Sequence, residues 1–108
     1  MSSIALRRDT VFQFLAVAGT PNSFTDTVFS RPDNLVVHAE RRLTGKKLHP
    51  FPLDEIQGAQ IESNRTEGSR MTRLTLQLAE KRFPLEGGYR NQNLREIETA
   101  INDWLTQP

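Results

Sequence analysis

The chain has 108 residues, of which 36% are hydrophobic and 25% are charged, and it contains no cysteine. That length accommodates one hydrophobic core, so we expect a single domain over residues 1–108. The lack of cysteine excludes disulfide bonds, thiol catalysis and thiolate metal sites. No apolar stretch is longer than five residues, so the sequence predicts neither a membrane-spanning segment nor a signal peptide.

The net charge of +1 conceals an uneven distribution of charge along the chain. Residues 1–53 contain seven basic and four acidic side chains, whereas residues 54–108 contain seven basic and nine acidic ones. A dedicated nucleic-acid-binding domain usually has a much stronger basic excess, because phosphate contacts supply most of its affinity. The charge therefore argues against a nucleic-acid partner, and we expect a cytoplasmic protein.

The first half of the chain has the pattern of short β-strands separated by turns. Residues 19–22 and 31–34 contain the proline, glycine and asparagine typical of turns. The predicted strands are 11–18, 24–29, 35–42 and 48–53. The strand at 48–53 contains two prolines, which place it at the edge of a sheet because proline donates no hydrogen bond to a neighbouring strand.

Three more strands are predicted in the second half, over 58–63, 70–78 and 82–85, with a loop at 64–69. Residues 70–78 alternate between apolar and polar side chains, as in a sheet with one solvated face. Gly87 and Gly88 then indicate a turn before the last element. About seven antiparallel strands are therefore expected between residues 11 and 85.

From residue 94 the apolar side chains recur every three or four positions, which predicts an amphipathic helix over 94–106. Asn93 and Glu96 have the spacing of a capping box at its start. So short a helix is unstable alone and must pack on the sheet, with Trp104 as its largest apolar side chain. Strands followed by one helix predict an α+β domain, with a bent sheet closed by the helix.

Three segments resemble the bacterial pleckstrin-homology-like (PH-like) domains, most of all the small cyanobacterial and plastid members of uncharacterised function. They are LVVHAERRLTGKKLHPFPLDEIQGAQIE, TRLTLQLAEKRFPL and NLREIETAINDWL, within residues 35–106. The resemblance implies a seven-stranded bent barrel capped by a C-terminal helix, used for binding or scaffolding. Many such relatives carry a membrane-spanning segment before this domain, which the present sequence lacks. The phosphoinositide motif of eukaryotic PH domains does not map onto it.

The titratable residues form no recognisable catalytic or metal-binding motif. His38 and His49 lie on neighbouring predicted strands, but the spacing supplies no third ligand for a metal. The alternation around His38 places it on the polar face of the sheet. Asp54 and Glu55 are adjacent in a predicted turn and would point apart. No catalytic residue, cofactor or metal site is predicted.

One cluster carries the functional hypothesis: Arg41, Arg42, Lys46 and Lys47 lie within seven residues around a predicted loop. The leading hypothesis is a non-catalytic interaction or scaffold module that binds a protein partner. One form of this hypothesis places the module next to a membrane. The alternative is a peripheral binder of anionic lipid headgroups through the basic loop at 41–47. A merely solvated loop, an unrecognised enzyme and self-association into a homo-oligomer stay open.

Overall fold

A computed structural model describes residues 2–17, 24–42, 44–66, 68–86, 89 and 92–107. Within these ranges, eight strands form two antiparallel sheets and one α-helix follows them. The first sheet consists, in spatial order, of β1 (Ser2–Arg7), β2 (Val11–Val17), β3 (Phe24–Ser30), β4 (Leu35–Arg42) and β5 (Gly45–Pro52). A 3₁₀ turn (Leu53–Glu55) leads to the second sheet, which consists of β6 (Ile56–Thr66), β7 (Ser69–Leu78) and β8 (Arg82–Pro84). The helix α1 spans Arg95–Thr106.

The α+β architecture with a C-terminal helix is confirmed, but two details of the predicted fold are wrong. The described residues form eight strands and not seven, because β1 was not predicted. The strands also do not close into a barrel. In the described residues β5 and β6 are joined by the 3₁₀ turn without pairing, so each sheet keeps its own edges.

Strand boundaries were predicted best where apolar and polar residues alternate. The prediction for β4 matches its observed bounds, and the proline-rich β5 is an edge strand as expected. However, β5 begins at Gly45 and not at residue 48, and β6 and β7 extend into the predicted loop at 64–69. The turns predicted at 19–22 and at 87–88 lie outside the described residues.

The core lies between the inner face of the first sheet, the second sheet and α1. Trp104 is only 1% exposed, and its ring centre lies 6.0 Å from that of Phe12 and 5.9 Å from that of Phe29. The prediction that Trp104 anchors the helix is confirmed. The other large, fully buried apolar side chains are Phe14, Val36, Leu74, Leu76, Leu85 and Ile101.

Side chains of α1 occupy hydrogen-bonding positions along the free edge of β6. The Asn102 amide accepts from the Ala59 N–H at 2.7 Å and donates to the Ala59 carbonyl at 3.0 Å. The Glu98 carboxylate accepts from the Ile61 N–H at 2.8 Å. A Cβ atom at Gly58 would lie 3.0 Å from the Asn102 Oδ1, so glycine permits this close approach. Side chains of the helix thereby supply hydrogen-bond partners for backbone groups on an edge of β6 that would otherwise remain unpaired.

Replacing Asn102 with alanine is expected to lower the free energy of unfolding by about 2 kcal/mol, because two hydrogen bonds to the strand edge are lost. Urea denaturation measures this difference. Asp103→Ala is the matched control, since Asp103 is exposed on the next position of the helix, and it should change stability by about 0.5 kcal/mol at most. Equal effects of the two substitutions would contradict the assigned role of Asn102.

Candidate functional site

The four predicted basic residues lie on two paired strands. Arg41 pairs with Lys46, and Arg42 pairs with Gly45, so the turn between β4 and β5 is shorter than predicted. Lys46 and Lys47 therefore belong to β5, which corrects their assignment to a loop. We call the end of this β4–β5 hairpin, residues 40–47, the basic hairpin. Strand pairing fixes the spacing of its charges more tightly than a free loop would.

The four basic side chains differ in whether they already interact with other side chains of the protein. The Arg41 guanidinium lies 3.7 Å from the Asp26 carboxylate and 5.9 Å from the ring centre of Phe24. By contrast, Arg42, Lys46 and Lys47 are exposed, and none lies within 4 Å of a carboxylate in the described part of the chain. These three side chains are available to an external anion.

The basic hairpin contains a depression of about 260 Å³. Cross-strand partners share a face of a sheet, so Glu40 and Lys47 point to one side together with Arg42. The partner of Arg42 is Gly45, which has no side chain and a φ of 144°, and this leaves open space opposite the arginine. The depression is lined by Glu40, Arg42, Thr44, Gly45, Lys46 and Lys47. It combines three cations with one carboxylate.

Next along the same face, away from the hairpin tip, lie His38 and His49, which are cross-strand partners. The prediction that His38 lies on a polar face is wrong, because its side chain is 1% exposed. Its Nδ1 is hydrogen-bonded to the Thr27 hydroxyl at 2.8 Å. The Phe83 ring of β8 covers both imidazoles, with ring-centre distances of 5.0 Å to His38 and 5.3 Å to His49. The second sheet thus buries a position that alternation alone would leave solvated.

Burial lowers the pKa of His38 from 6.5 to about 4, because the imidazolium loses hydration in the core. Nearby His49 lowers this pKa further, whereas the carboxylates of Glu40 and Asp26 oppose the shift. His38 is therefore neutral at neutral pH. The His49 Nε2 is 3.7 Å from the Glu40 carboxylate, beyond hydrogen-bonding distance, and this buried atom has no hydrogen-bond partner in the described residues.

The other candidates, Asp54 and Glu55, lie at the end of the first sheet opposite the basic hairpin. Asp54 lies in the 3₁₀ turn, as predicted, and its carboxylate accepts a hydrogen bond from the Asn34 amide at 3.2 Å. Within the described ranges, no group of three or more histidine or carboxylate side chains is arranged to hold a metal ion. No described helix combines the length and apolarity needed to cross a bilayer.

A second basic position was missed at the sequence level. Arg65 and Arg70 are cross-strand partners near the end of the β6–β7 hairpin, and both are exposed. Arg70 donates to the Ser63 hydroxyl at 3.3 Å. Arg65 lies in the segment 64–69 that was predicted as a loop, and Arg70 begins the predicted strand 70–78, so nothing in the sequence placed them opposite each other. They provide a basic surface that can be compared with the basic hairpin.

No family model matches the chain, and no curated protein or solved structure matches it either. The resemblance to bacterial PH-like domains therefore stays a prediction.

Proposed function

We propose that the protein is a non-catalytic interaction module that binds an acidic protein partner through the basic hairpin. The observation that carries this proposal is the exposure of Arg42, Lys46 and Lys47 around one depression, with no carboxylate within 4 Å of any of them among the described residues. Uncompensated positive charge attracts an acidic surface and orients it during association.

The depression also fits a protein better than a uniformly anionic surface. Glu40 lines it beside the three cations, and this carboxylate repels a phosphate but accepts a basic group from a partner. A protein surface can present both signs of charge at this spacing, whereas an anionic membrane presents only one. The mixed lining therefore favours a protein partner.

The surroundings of His38 support a binding role over a catalytic one. His38 is buried, its Nδ1 is hydrogen-bonded to Thr27, and Phe83 covers its ring. A general base must come within hydrogen-bonding distance of a substrate proton. Access to His38 would require Phe83 to move away.

The proposal is tested with a fluorescent peptide rich in aspartate and glutamate as the probe. Reversing three charges together, as Arg42→Glu, Lys46→Glu and Lys47→Glu, is expected to weaken binding about tenfold or more, equivalent to at least ~1.4 kcal/mol. The matched control reverses two charges elsewhere, as Arg65→Glu and Arg70→Glu, and should retain most of the affinity. Equal losses in both variants, or no loss in the triple variant, would contradict the proposal.

The alternative function, binding of anionic lipid headgroups, rests on the same three cations at the tip of one hairpin. Each basic residue near an anionic membrane contributes about 1 kcal/mol, so three give weak and salt-sensitive attachment. Co-sedimentation with phosphatidylcholine vesicles, with and without phosphatidylserine, distinguishes this alternative. Binding only to phosphatidylserine vesicles, and only at low salt, would support it. A failure to sediment even at low salt would exclude it.

A further inference from the structure

The outer face of the first sheet, which points away from α1 and from the second sheet, is largely apolar. Side chains alternate along each strand, and the inner positions are those buried at Phe12, Phe14, Phe29 and Val36. Most of the described outer positions are partly or fully exposed, with Leu48 of β5 at 51%, whereas Ala39 of β4 is only 4% exposed. The described apolar members of the outer face are Leu6, Val11, Leu15, Phe24, Val28, Leu35, Val37, Ala39, Leu48, Pro50 and Pro52.

Polar groups at the centre of the outer face form a hydrogen bond and an ion pair with one another. The Gln13 amide donates to one oxygen of Asp26 at 2.9 Å, and the Arg41 guanidinium lies 3.7 Å from the other oxygen. A solvated antiparallel face is usually polar, and a buried polar group is costly unless it is paired. Because these groups are already paired, the outer face can be covered at a lower cost in desolvation.

The two ends of β4 and β5 carry opposite charges, and this determines what fits the outer face. Of the cations of the basic hairpin, Arg41 and Lys46 point to the outer face at one end of these strands, and the acidic residues Asp33, Asp54 and Glu55 lie at the other end. Arg31 is also at the acidic end, but its guanidinium donates to the carbonyls of Trp104 and Gln107, at and just after the C-terminal end of α1. Of the other cations at that end, Arg7 and Arg8 lie along the opposite edge of the sheet, where β1 ends, and Lys81 lies on the inner side, 5.5 Å from the ring centre of Phe51.

We propose that a second copy of this chain covers the outer face in a two-fold symmetric dimer. If the strands of the two copies run antiparallel, Arg41 and Lys46 of each copy lie against the acidic end of its partner. A two-fold axis repeats this complementary contact twice, and sheets pack face to face at small angles. Leu48 and Pro50 of the two copies then meet near the axis.

The size of the outer face predicts a weak dimer. A standard protein interface includes about 20–30 residues on each side, and the outer face offers fewer. The dissociation constant is therefore expected in the micromolar range. Association of this kind needs no other ligand. It uses Arg41 and Lys46 of the outer face, whereas Arg42 and Lys47 point to the other face of the sheet and stay available to the acidic partner.

Sedimentation equilibrium of the full chain, from micromolar to millimolar concentration, tests the dimer. The average mass should rise from 12.3 kDa toward twice that value. Leu48→Glu and Val37→Lys, each verified as folded by circular dichroism, should both remain monomeric. Ile4→Glu is the matched control, since Ile4 is 37% exposed but lies on the side of buried Phe14, and it should dimerise like the wild type.

Three results would overturn the proposal. The first is a wild-type chain that stays monomeric at the highest concentration, and the second is dimerisation of both outer-face variants. The third result tests the antiparallel alignment through its dependence on salt. Raising NaCl from about 0.05 M to about 0.5 M is expected to weaken the dimer several-fold, because the charges at the strand ends are then screened. A dissociation constant that does not change with salt would contradict the charge-matched arrangement.

Discussion

Replacing Trp104 with alanine is expected to lower the free energy of unfolding by about 4 kcal/mol. The indole ring is buried against Phe12 and Phe29, and its Nε1 donates to the Arg8 carbonyl at 2.6 Å. The Arg31 guanidinium lies 4.1 Å from the indole ring centre. One side chain thus connects the helix to the first sheet, and its loss removes a large buried area and leaves a cavity. Since whole domains are stable by about 5–15 kcal/mol, this variant should be close to unfolding at moderate temperature.

Two comparisons separate the contributions of Trp104. Trp104→Phe keeps an aromatic ring but loses the hydrogen bond to Arg8, so it should cost about half as much as the alanine substitution. Leu105→Ala removes a half-buried neighbour and should cost about 1–2 kcal/mol. Chemical denaturation monitored by circular dichroism provides all three values. If Leu105→Ala destabilised the protein as much as Trp104→Ala, the indole would not be the main contact of the helix.

A pH titration of stability should show a loss between pH 6.5 and 4 that originates at His38. The unfolded chain binds a proton at this histidine near pH 6.5, whereas the folded chain binds it only near pH 4. Stability is therefore complete above pH 6.5 and declines as the pH falls toward the folded pKa. A difference of this size corresponds to a loss of about 3 kcal/mol at the acidic end.

Variants of the two histidines assign this pH dependence. His38→Gln should remove most of the slope of stability against pH in this range, whatever its effect on absolute stability. His49→Gln leaves the buried imidazole in place and should keep most of the slope, because burial is the largest cause of the shift at His38. The free energy of unfolding is measured in urea at several pH values. An unchanged slope in His38→Gln would show that another group is responsible.

The elements that were predicted correctly have a local signal in the sequence. Apolar side chains spaced by three and four positions located α1 almost to the residue, and strict alternation located β4. The missed strand β1 has only Ile4 and Leu6 as large apolar residues, beside two serines and an arginine. It forms a strand because β2 offers it a partner edge, and no local pattern reports that partner.

The sequence identified the basic residues of the candidate site but did not predict how they are arranged in space. The four basic residues were identified from their charge, while the pairing of Arg42 with Gly45 opens the depression. The burial of His38 depends on Phe83, which is 45 positions away along the chain. Alternation likewise distinguishes two faces of β4 without showing which of them is buried. The burial of His38 and the choice of buried face in β4 depend on contacts between segments that are distant in the sequence.

Whether the basic hairpin is the binding surface is tested most directly by NMR. Backbone amide shifts of the isotope-labelled chain are followed while the acidic peptide is added. The largest and saturable shifts are expected on residues 40–47, with smaller ones at Arg65 and Arg70. Shifts concentrated on the β6–β7 hairpin, or spread evenly over all basic residues, would contradict it.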